Sequence, residues 1–190
     1  MRHVMVTDAA GSLGRRIVAD LLERNCRVTA VSQEGGLDTL RSLADKEQLD
    51  LLSCDLADTD AVSSLARSIE NLDMLIHLAN RPPDDPADHQ ACTRQANMTI
   101  DLISLLGSKI ARAIFVSSPS VYGEAAGGAV SEGEPTVPST YHGASLLASE
   151  KLWDLFAIES GKPVTVLRLP HGADDLAGQS QSVLSELNEG

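Results

Sequence analysis

Residues 3–25, HVMVTDAAGSLGRRIVADLLERN, decide the fold of this chain. The opening run, HVMVT (3–7), is rich in apolar residues and predicts a strand. After a turn that contains glycine, residues 13–25 show the apolar spacing of a helix. One side of that helix carries Leu13, Ile17, Leu21 and Leu22. A strand joined through a glycine turn to a helix begins a βαβ unit, so this stretch predicts a parallel sheet.

The same alternation continues along the chain. Further strands are predicted at residues 27–31, 49–54, 73–79, 113–118 and 164–169. Helices are predicted at residues 37–47, 58–70, 90–107 and 140–159, with Asp58 as the cap of the second. We therefore expect an α/β fold with a doubly wound parallel sheet of about six strands. We expect one domain at residues 1–172 and a polar tail at residues 173–190.

Composition excludes several classes of function. The net charge is −12 and no cluster of Lys and Arg occurs, so nucleic-acid binding is not expected. No apolar run approaches the ~18 residues of a membrane span, and the first residues do not resemble a secretory signal. Cys26, Cys54 and Cys92 lack the spacing of a metal site. We expect a cytoplasmic protein with reduced thiols and no metal.

The first turn, VTDAAGSLG (6–14), has the context of a dinucleotide phosphate site. The N-terminus of the following helix offers free N–H groups and a partial positive charge to a pyrophosphate. Gly11 and Gly14 would allow close approach of the backbone. The same spacing also occurs in tight turns that bind nothing, so the turn alone leaves both interpretations open.

Motifs elsewhere in the chain favour the first interpretation. VTDAAGSLG is similar to T-G-x-x-G-x-x-G, CDLAD to G-D-L-x-D, DMLIHLAN to D-x-V-I-H-L-A-A, and FVSSPSVYG to F-x-S-S-x-x-V-Y-G. VSEGEPTVPSTYHGAS (130–145) tracks T-E-x-x-P-x-x-P-x-S-x-Y-x-x-S-K up to its last residue. In this order the motifs resemble the extended short-chain dehydrogenase/reductase family, the sugar-nucleotide epimerases and dehydratases. The resemblance covers residue 3 to about 172 and implies a Rossmann-like fold.

The resemblance also implies a site and a cofactor, NAD or NADP. Ser118 would be the catalytic serine and Tyr141 the catalytic tyrosine, with Ser145 at the position of the family's lysine. Asp55 would meet the adenine. The residues implied to line the cofactor are Asp8, Gly11, Ser12, Leu13, Gly14, Ser32, Asp55, Leu56, Leu78, Ala79, Asn80, Asn97 and Pro170.

Three departures from the family fall on this site. Asp8 replaces the first glycine of the turn, and two unit charges ~4 Å apart repel by about 4 kcal/mol at an effective dielectric of ~20. Asp8 would otherwise accept the free N–H groups of the helix itself, or point into solvent. Ser32 replaces the acid of NAD-dependent members, and no arginine stands there to select NADP, so the choice of cofactor stays open. Ser145 has neither the charge nor the reach of a lysine.

Three functions remain open at this point. The first is an NAD(P)-dependent oxidoreductase, epimerase or dehydratase with impaired redox catalysis. The second is a ligand sensor or protein-interaction module without catalysis. The third is a lysine-free catalyst that uses Ser118 and Tyr141 for cyclisation, elimination or isomerisation. A small-molecule ligand and a homodimer through the helices near 90–107 and 140–159 are expected. The family's C-terminal substrate lobe is expected to be missing.

Overall fold

The computed structural model describes residues 1–33, 35–43, 47–78, 88–123, 130–170 and 176–186, apart from the side chains of Ala91 and Leu176. Its strands are β1 (His3–Thr7), β2 (Arg27–Ser32), β3 (Leu49–Ser53), β4 (Met74–His77), β5 (Ala113–Ser117) and β6 (Val164–Arg168). Its α-helices are α1 (Ser12–Glu23), α2 (Thr59–Ser68), α3 (His89–Leu106), α4 (Tyr141–Ser160) and α5 (Leu176–Ser185). Short 3₁₀ helices cover Leu37–Leu43, Gly107–Lys109 and Pro119–Tyr122.

All six strands form one parallel sheet in the order β3-β2-β1-β4-β5-β6. The chain therefore runs outward from β1 in one direction and outward from β4 in the other. This confirms the predicted doubly wound, Rossmann-like fold. In such sheets ligands bind beyond the carboxyl ends of the strands, near the place where the order reverses.

Successive residues of a strand point to opposite faces of the sheet, and both sets are apolar here. Helices therefore cover both faces. On β1, Val4 and Val6 pack beneath α1 and α5, while Met5 packs in the second core beneath α2, α3 and α4. The second core holds the large rings, Phe115, Trp153 and Phe156. Burial on both sides explains why the central strands are apolar nearly throughout.

Two helix termini follow rules that are readable in the sequence. The Asp58 carboxylate accepts hydrogen bonds from the N–H groups of Asp60 at 2.9 Å and Ala61 at 3.4 Å, so its predicted role as a cap is confirmed. At the end of α4, Gly161 has a φ of 69° and its N–H donates to the carbonyl of Ala157. A left-handed glycine is a common helix stop.

Within the described part of the predicted helix at residues 37–47, Leu37–Leu43 form a 3₁₀ helix, and residues 44–46 lie outside the described residues. Leu37, Leu40 and Leu43 are spaced by three residues, and this spacing aligns them on a helix with three residues per turn. Only Leu40 is fully buried. The segment therefore gains little from forming the longer α-helix.

Residues 176–185 form α5, where the sequence analysis expects only a polar tail. Val183 and Leu184 are fully buried in the core beneath α1. The Ser180 hydroxyl donates to the Asp20 carboxylate of α1 at 2.6 Å. Two apolar residues suffice here because Val183 and Leu184 both lie on the side that meets α1.

Loss of the Leu184 side chain tests whether α5 belongs to the folded domain. Leu184→Ala should lower the free energy of unfolding by about 2–5 kcal/mol, because it leaves a cavity beneath α1. Denaturant titration measures the change, with Ser182→Ala on the exposed side of α5 as the control, expected within about 0.5 kcal/mol of wild type. Equal stability of both variants and wild type would contradict a packed α5.

Candidate functional site

The predicted site residues collect at the carboxyl edge of the sheet. Asp8 follows β1, Ser32 ends β2, and Asp55 and Leu56 come just after β3. Beyond the reversal of strand order, Leu78 follows β4, Ser118 follows β5 and Pro170 comes just after β6. The topology therefore brings these positions to one edge, as the sequence predicts. Ala79 and Asn80 lie outside the described residues.

The turn between β1 and α1 is tight. The N–H of Gly11 donates to the carbonyl of Asp8 at 3.0 Å. A Cβ on Gly14 would lie 2.4 Å from the Asp8 carbonyl oxygen and 2.7 Å from the Ala9 Cα, so no side chain fits there. Gly14 thus lets the helix pack directly on the turn. Ser12 and Leu13 form the first turn of the helix.

Asp8, at the position of the family's first glycine, has a left-handed backbone conformation. Its φ is 48°, in the left-handed region that favours glycine and, less strongly, aspartate. Its Oδ2 lies 3.0 Å from the place of a Cβ on Gly11, the N-cap of α1. The half-buried carboxylate therefore sits beside the helix N-terminus, where an anion would otherwise approach.

A cavity of about 250 Å³ opens next to Asp8, between the sheet edge and α3. Its apolar lining is Val31, Leu56 and Met98, and its polar lining is Asp8, Ser32, Gln33, Cys54 and Gln95. We call this cavity the crevice. The Gln33 amide donates to the Asp55 carboxylate at 3.3 Å, and burial raises the pKa of the Cys54 thiol. Asp55 itself is outside the lining, and Asn97 is exposed on α3.

Gln95 is a residue that the sequence analysis missed. It is 5% exposed, and its Nε2 is buried without a hydrogen-bond partner among the described residues. A buried amide donor normally has a partner, and leaving it unpaired costs about 1–3 kcal/mol. No sequence signal identifies it, because its burial depends on how α3 packs.

Ser118 lies at the other side of the edge, beyond β5. It is 3% exposed, and its Oγ accepts a hydrogen bond from the Ser120 N–H at 3.2 Å. A Cβ on Gly143 of α4 would lie 2.4 Å from the Ser120 carbonyl oxygen. The first turn of α4 therefore presses on the 3₁₀ turn that Ser118 begins.

Tyr141 and Ser145 differ sharply in exposure. Tyr141 is 53% exposed, and its ring centroid lies 4.0 Å from that of His89 at the start of α3. Ser145 is 7% exposed, and its hydroxyl donates to the carbonyl of His142 at 2.8 Å. The Ser145 hydroxyl, at the position that the first alignment of the motif gives to the family's lysine, is thus bonded within its own helix.

The motif also fits this region in a second register. When Pro135, Pro138 and Ser145 are matched to the two prolines and the last serine of the family pattern, the tyrosine position falls on His142 and the lysine position on Leu146. Helix periodicity favours this register. His142 continues the buried side of α4, which carries Ser145, Leu146, Ser149 and Trp153. Tyr141 continues the exposed side, with Ala144, Ala148 and Leu155.

The described lysines all bind groups away from the start of α4. The ammonium of Lys109 donates to the carbonyls of Ala66 and Ile69, both at 2.6 Å. The ammonium of Lys162 donates to the carbonyls of Gly107 at 2.7 Å and Ser108 at 3.0 Å. Lys151 pairs with Asp154 at 2.9 Å. The remaining lysine, Lys46, lies outside the described residues.

The guanidinium of Arg168 at the end of β6 is also bound to other side chains. Its guanidinium binds both oxygens of the Glu150 carboxylate, at 3.0 and 2.7 Å, and Glu150 is 2% exposed. It also donates to the Tyr122 hydroxyl and lies 4.7 Å from the centre of the Tyr122 ring. The hydrogen bond to Glu150 raises the pKa of Arg168 above its usual range, so this cation holds α4, β6 and the Ser118 turn together.

The sequence model of the NAD dependent epimerase/dehydratase family matches residues 4–185. This chain belongs to that family. Two similar proteins are the L-arabinose 1-dehydrogenase (NAD(P)(+)) of Haloferax volcanii and the uncharacterized UDP-glucose epimerase YtcB of Bacillus subtilis. The first is 27% identical over 183 residues, 89% of this chain and 66% of that protein. The second is 27% identical over 178 residues, 87% of this chain and 55% of that protein.

Solved structures of epimerases share the fold. The UDP-Glc/GlcNAc 4-epimerase of Campylobacter jejuni superposes with a TM-score of 0.81 at 21% identity, over 88% of this chain and 53% of that one. The UDP-glucuronic acid 4-epimerase of Bacillus cereus, solved in complex with NAD, gives 0.74 at 27% identity, over 87% of this chain and 56% of that one. The chain thus spans about half the length of these epimerases. Within the described residues no helix is long and apolar enough to span a membrane.

His77 lies beneath the site, at the end of the strand that matches the family's H-L-A motif. It is fully buried, its Nδ1 lies 2.9 Å from the Thr7 hydroxyl oxygen, and its ring stacks on Phe115 at 5.5 Å. The Thr7 hydroxyl oxygen also accepts the N–H of Leu78 at 3.0 Å. Burial lowers the pKa of His77 from 6.5 to about 4.

The buried His77 should make the fold sensitive to acid. Because its pKa is lower in the folded than in the unfolded chain, its contribution is complete above pH 6.5 and is lost as the pH falls toward 4. Between pH 7 and pH 5 this loss should be about 2 kcal/mol. Denaturant titration at several pH values should show that His77→Gln removes this slope.

The control is Phe115→Leu, which keeps the histidine. It should lower stability at every pH and retain the slope between pH 7 and pH 5. An unchanged slope in His77→Gln would assign the acid sensitivity to other groups.

Proposed function

We propose that this family member binds a nucleotide ligand of the NAD type at the carboxyl edge of its sheet and carries out hydride transfer poorly or not at all. The observation that carries the proposal is the commitment of every described lysine to another partner. In either register of the motif an uncharged residue, Ser145 or Leu146, stands at the lysine position. The family's lysine supplies a charge near the tyrosine and a donor for the nicotinamide ribose.

The second register is the one that we propose for the catalytic face. His142 then stands at the tyrosine position, and Leu146 at the lysine position is fully buried. An imidazole can accept or donate a proton near neutral pH without a neighbouring cation. His142 and Ser118 would then retain proton-transfer chemistry after hydride transfer is lost. This favours lysine-free elimination or isomerisation as the second candidate function.

The described residues fit the base of a dinucleotide cofactor but not its pyrophosphate. Gly14 lets α1 pack directly on the turn, which brings the helix N-terminus to the sheet edge, and the crevice has apolar residues in its lining for a base. NAD, when bound, supplies the hydride acceptor in this family. The Asp8 carboxylate does not fit a pyrophosphate, because both groups are anions at one helix N-terminus. We therefore expect weak binding of NAD or NADP, and we propose a small-molecule substrate without naming it.

We also propose that the protein forms a homodimer through the outer faces of α3 and α4. These helices lie side by side, and Thr99 donates to the Ser149 hydroxyl oxygen between them at 3.0 Å. Their outer faces expose Ile100 at 43%, Leu155 at 53% and Ile158 at 78%. Exposed apolar groups on neighbouring helices favour association.

The cysteines in the described residues are unpaired, as in a reducing cytoplasm.

Wild-type protein should show negligible turnover of L-arabinose or UDP-glucose with either nicotinamide cofactor. Positioned acid–base catalysis contributes about 10²–10⁴-fold, and every described lysine is bound to groups away from the start of α4. Nicotinamide absorbance and product analysis measure the rate. Turnover comparable to a working dehydrogenase or epimerase would refute the proposal.

The two registers can be separated in an Asp8→Gly background. His142→Tyr with Leu146→Lys should raise turnover if the second register is right. Ser145→Lys, the matched variant for the first register, should not. An increase in turnover with Ser145→Lys alone would favour the first register, with Tyr141 as the catalytic residue.

Sedimentation should give the mass of two chains at micromolar concentration. Leu155→Lys with Ile158→Lys should give the mass of one chain, because two buried charges per subunit oppose association. Glu159→Lys is the control for added charge at the same end of α4 and should stay dimeric. A wild-type mass of one chain would remove the dimer from the proposal.

A further inference from the structure

We propose that the first half of α3, residues 89–98, is a lid that opens and closes over the crevice while the second half of α3 stays in place. We call this segment the lid. It supplies Gln95 and Met98 to the lining of the crevice, so its movement opens one wall of the cavity. The inference concerns access to the crevice and goes beyond the proposed function, because it does not depend on which ligand binds there.

The lid buries little apolar surface. Among its described side chains only Gln95 is buried, and that side chain is polar. Met98 is half-buried and packs against the second core, and the other described side chains of the lid are half-buried or exposed. The packing of an apolar face provides most of the stability of a helix in a protein. The closed position of the lid is therefore weakly held.

Gln95 makes the closed position costly as well. Its side chain is 5% exposed, and its Nε2 has no hydrogen-bond partner within the described residues. This atom has less than 1 Å² of accessible surface, so it is sealed from the crevice and from solvent alike. A buried donor without a partner destabilises the state that buries it. Opening of the lid exposes the amide to water and removes this penalty.

The second half of α3 is anchored firmly, which places the hinge near Thr99. Leu102 and Leu106 are fully buried in the second core. Thr99 is also fully buried, and its hydroxyl donates to the Ser149 hydroxyl oxygen of α4 at 3.0 Å. Unwinding that begins at His89 therefore stops where these contacts begin.

The start of the lid is held to α4 by one pair of rings. The centroids of His89 and Tyr141 lie 4.0 Å apart, and Tyr141 is 53% exposed, so this contact can break without exposing a core. The other side-chain bonds of the lid are local among the described residues. The Thr93 hydroxyl donates to the carbonyl of His89, and Arg94 pairs with Asp88, both at 3.2 Å.

The size of the crevice also favours a lid. Its volume of about 250 Å³ is below the roughly 300–1,000 Å³ of most small-molecule sites. Val31 and Leu56 in its lining come from the sheet and the turn after β3, whereas Gln95 and Met98 come from the lid. A molecule of ordinary ligand size therefore enters only when the lid opens.

The thiol of Cys54 can report on this opening, because Cys54 lines the crevice and is 5% exposed. In a Cys26→Ser, Cys92→Ser background it is the only thiol of the chain. The rate of its reaction with the neutral disulfide 4,4′-dithiodipyridine, measured on the folded full chain, then follows the population of the open crevice. This rate should be at least about tenfold lower than in the unfolded chain.

Variants of the lid should change this rate in opposite directions. Gln95→Leu should lower it about tenfold, because the closed lid then buries no unpaired donor. His89→Ala should raise it about threefold, because the ring contact with Tyr141 is lost. Gln90→Leu is the matched control, since Gln90 is exposed on the lid, and it should stay within about twofold of the background.

Leu184→Ala separates opening of the lid from unfolding of the whole domain. Leu184 lies in the core beneath α1, away from α3, and its loss lowers global stability. If Cys54 reacts through the lid, Leu184→Ala should leave its rate unchanged. A rate that rises in proportion to the lost stability would overturn the inference, because the thiol would then react through global unfolding.

Hydrogen exchange on the full chain provides a second measure. Amides of residues 94–98 should exchange at least about tenfold faster than those of residues 102–106, and Gln95→Leu should narrow this difference. Uniform exchange along α3, or equal Cys54 rates in the background, Gln95→Leu and His89→Ala, would overturn the inference. Gln95→Met replaces Gln95→Leu if the latter does not fold. Neither measurement uses a ligand, so failure of the proposed NAD binding leaves this result standing.

Discussion

The contact between Gly14 and the carbonyl of Asp8 constrains the rest of the structure. A side chain at residue 14 would overlap the backbone of the first turn, so α1 packs on β1 only because Gly14 has none. That packing sets the direction of α1 and, through it, the seat of α5 on the same face. It also brings the start of α1 to the place where the strand order reverses. The ligand site follows from this local fit.

Much of the fold could be predicted from local patterns. All six strands were predictable to within one or two residues. The central strands are buried on both faces, which leaves a continuous apolar run in the sequence. α5 and the 3₁₀ helix at Leu37–Leu43 were not predicted correctly. In each, one or two buried apolar residues carry the packing, and a pattern so sparse looks the same in a loop.

The candidate site was predictable in position but not in detail. Strand ends and motifs predicted Asp8, Ser32 and Ser118 for the site, and the fold brings all three positions to the carboxyl edge of the sheet. Gln95 could not be identified from the sequence, because its burial depends on how α3 packs. The assignment of the tyrosine position to Tyr141 or His142 depends on the rotation of α4, because a shift of one residue exchanges its buried and exposed sides, and the assignment to His142 stays a proposal.

The placement of the lysines has a consequence for how this chain can change over evolutionary time. Lys109 and Lys162 close the carbonyl groups at the ends of α2 and α3, far from the carboxyl edge of the sheet. The scaffold is thus fastened at the end opposite to the crevice. Substitutions around the crevice can accumulate without loosening that end, so a lineage can exchange one chemistry for another while its architecture persists.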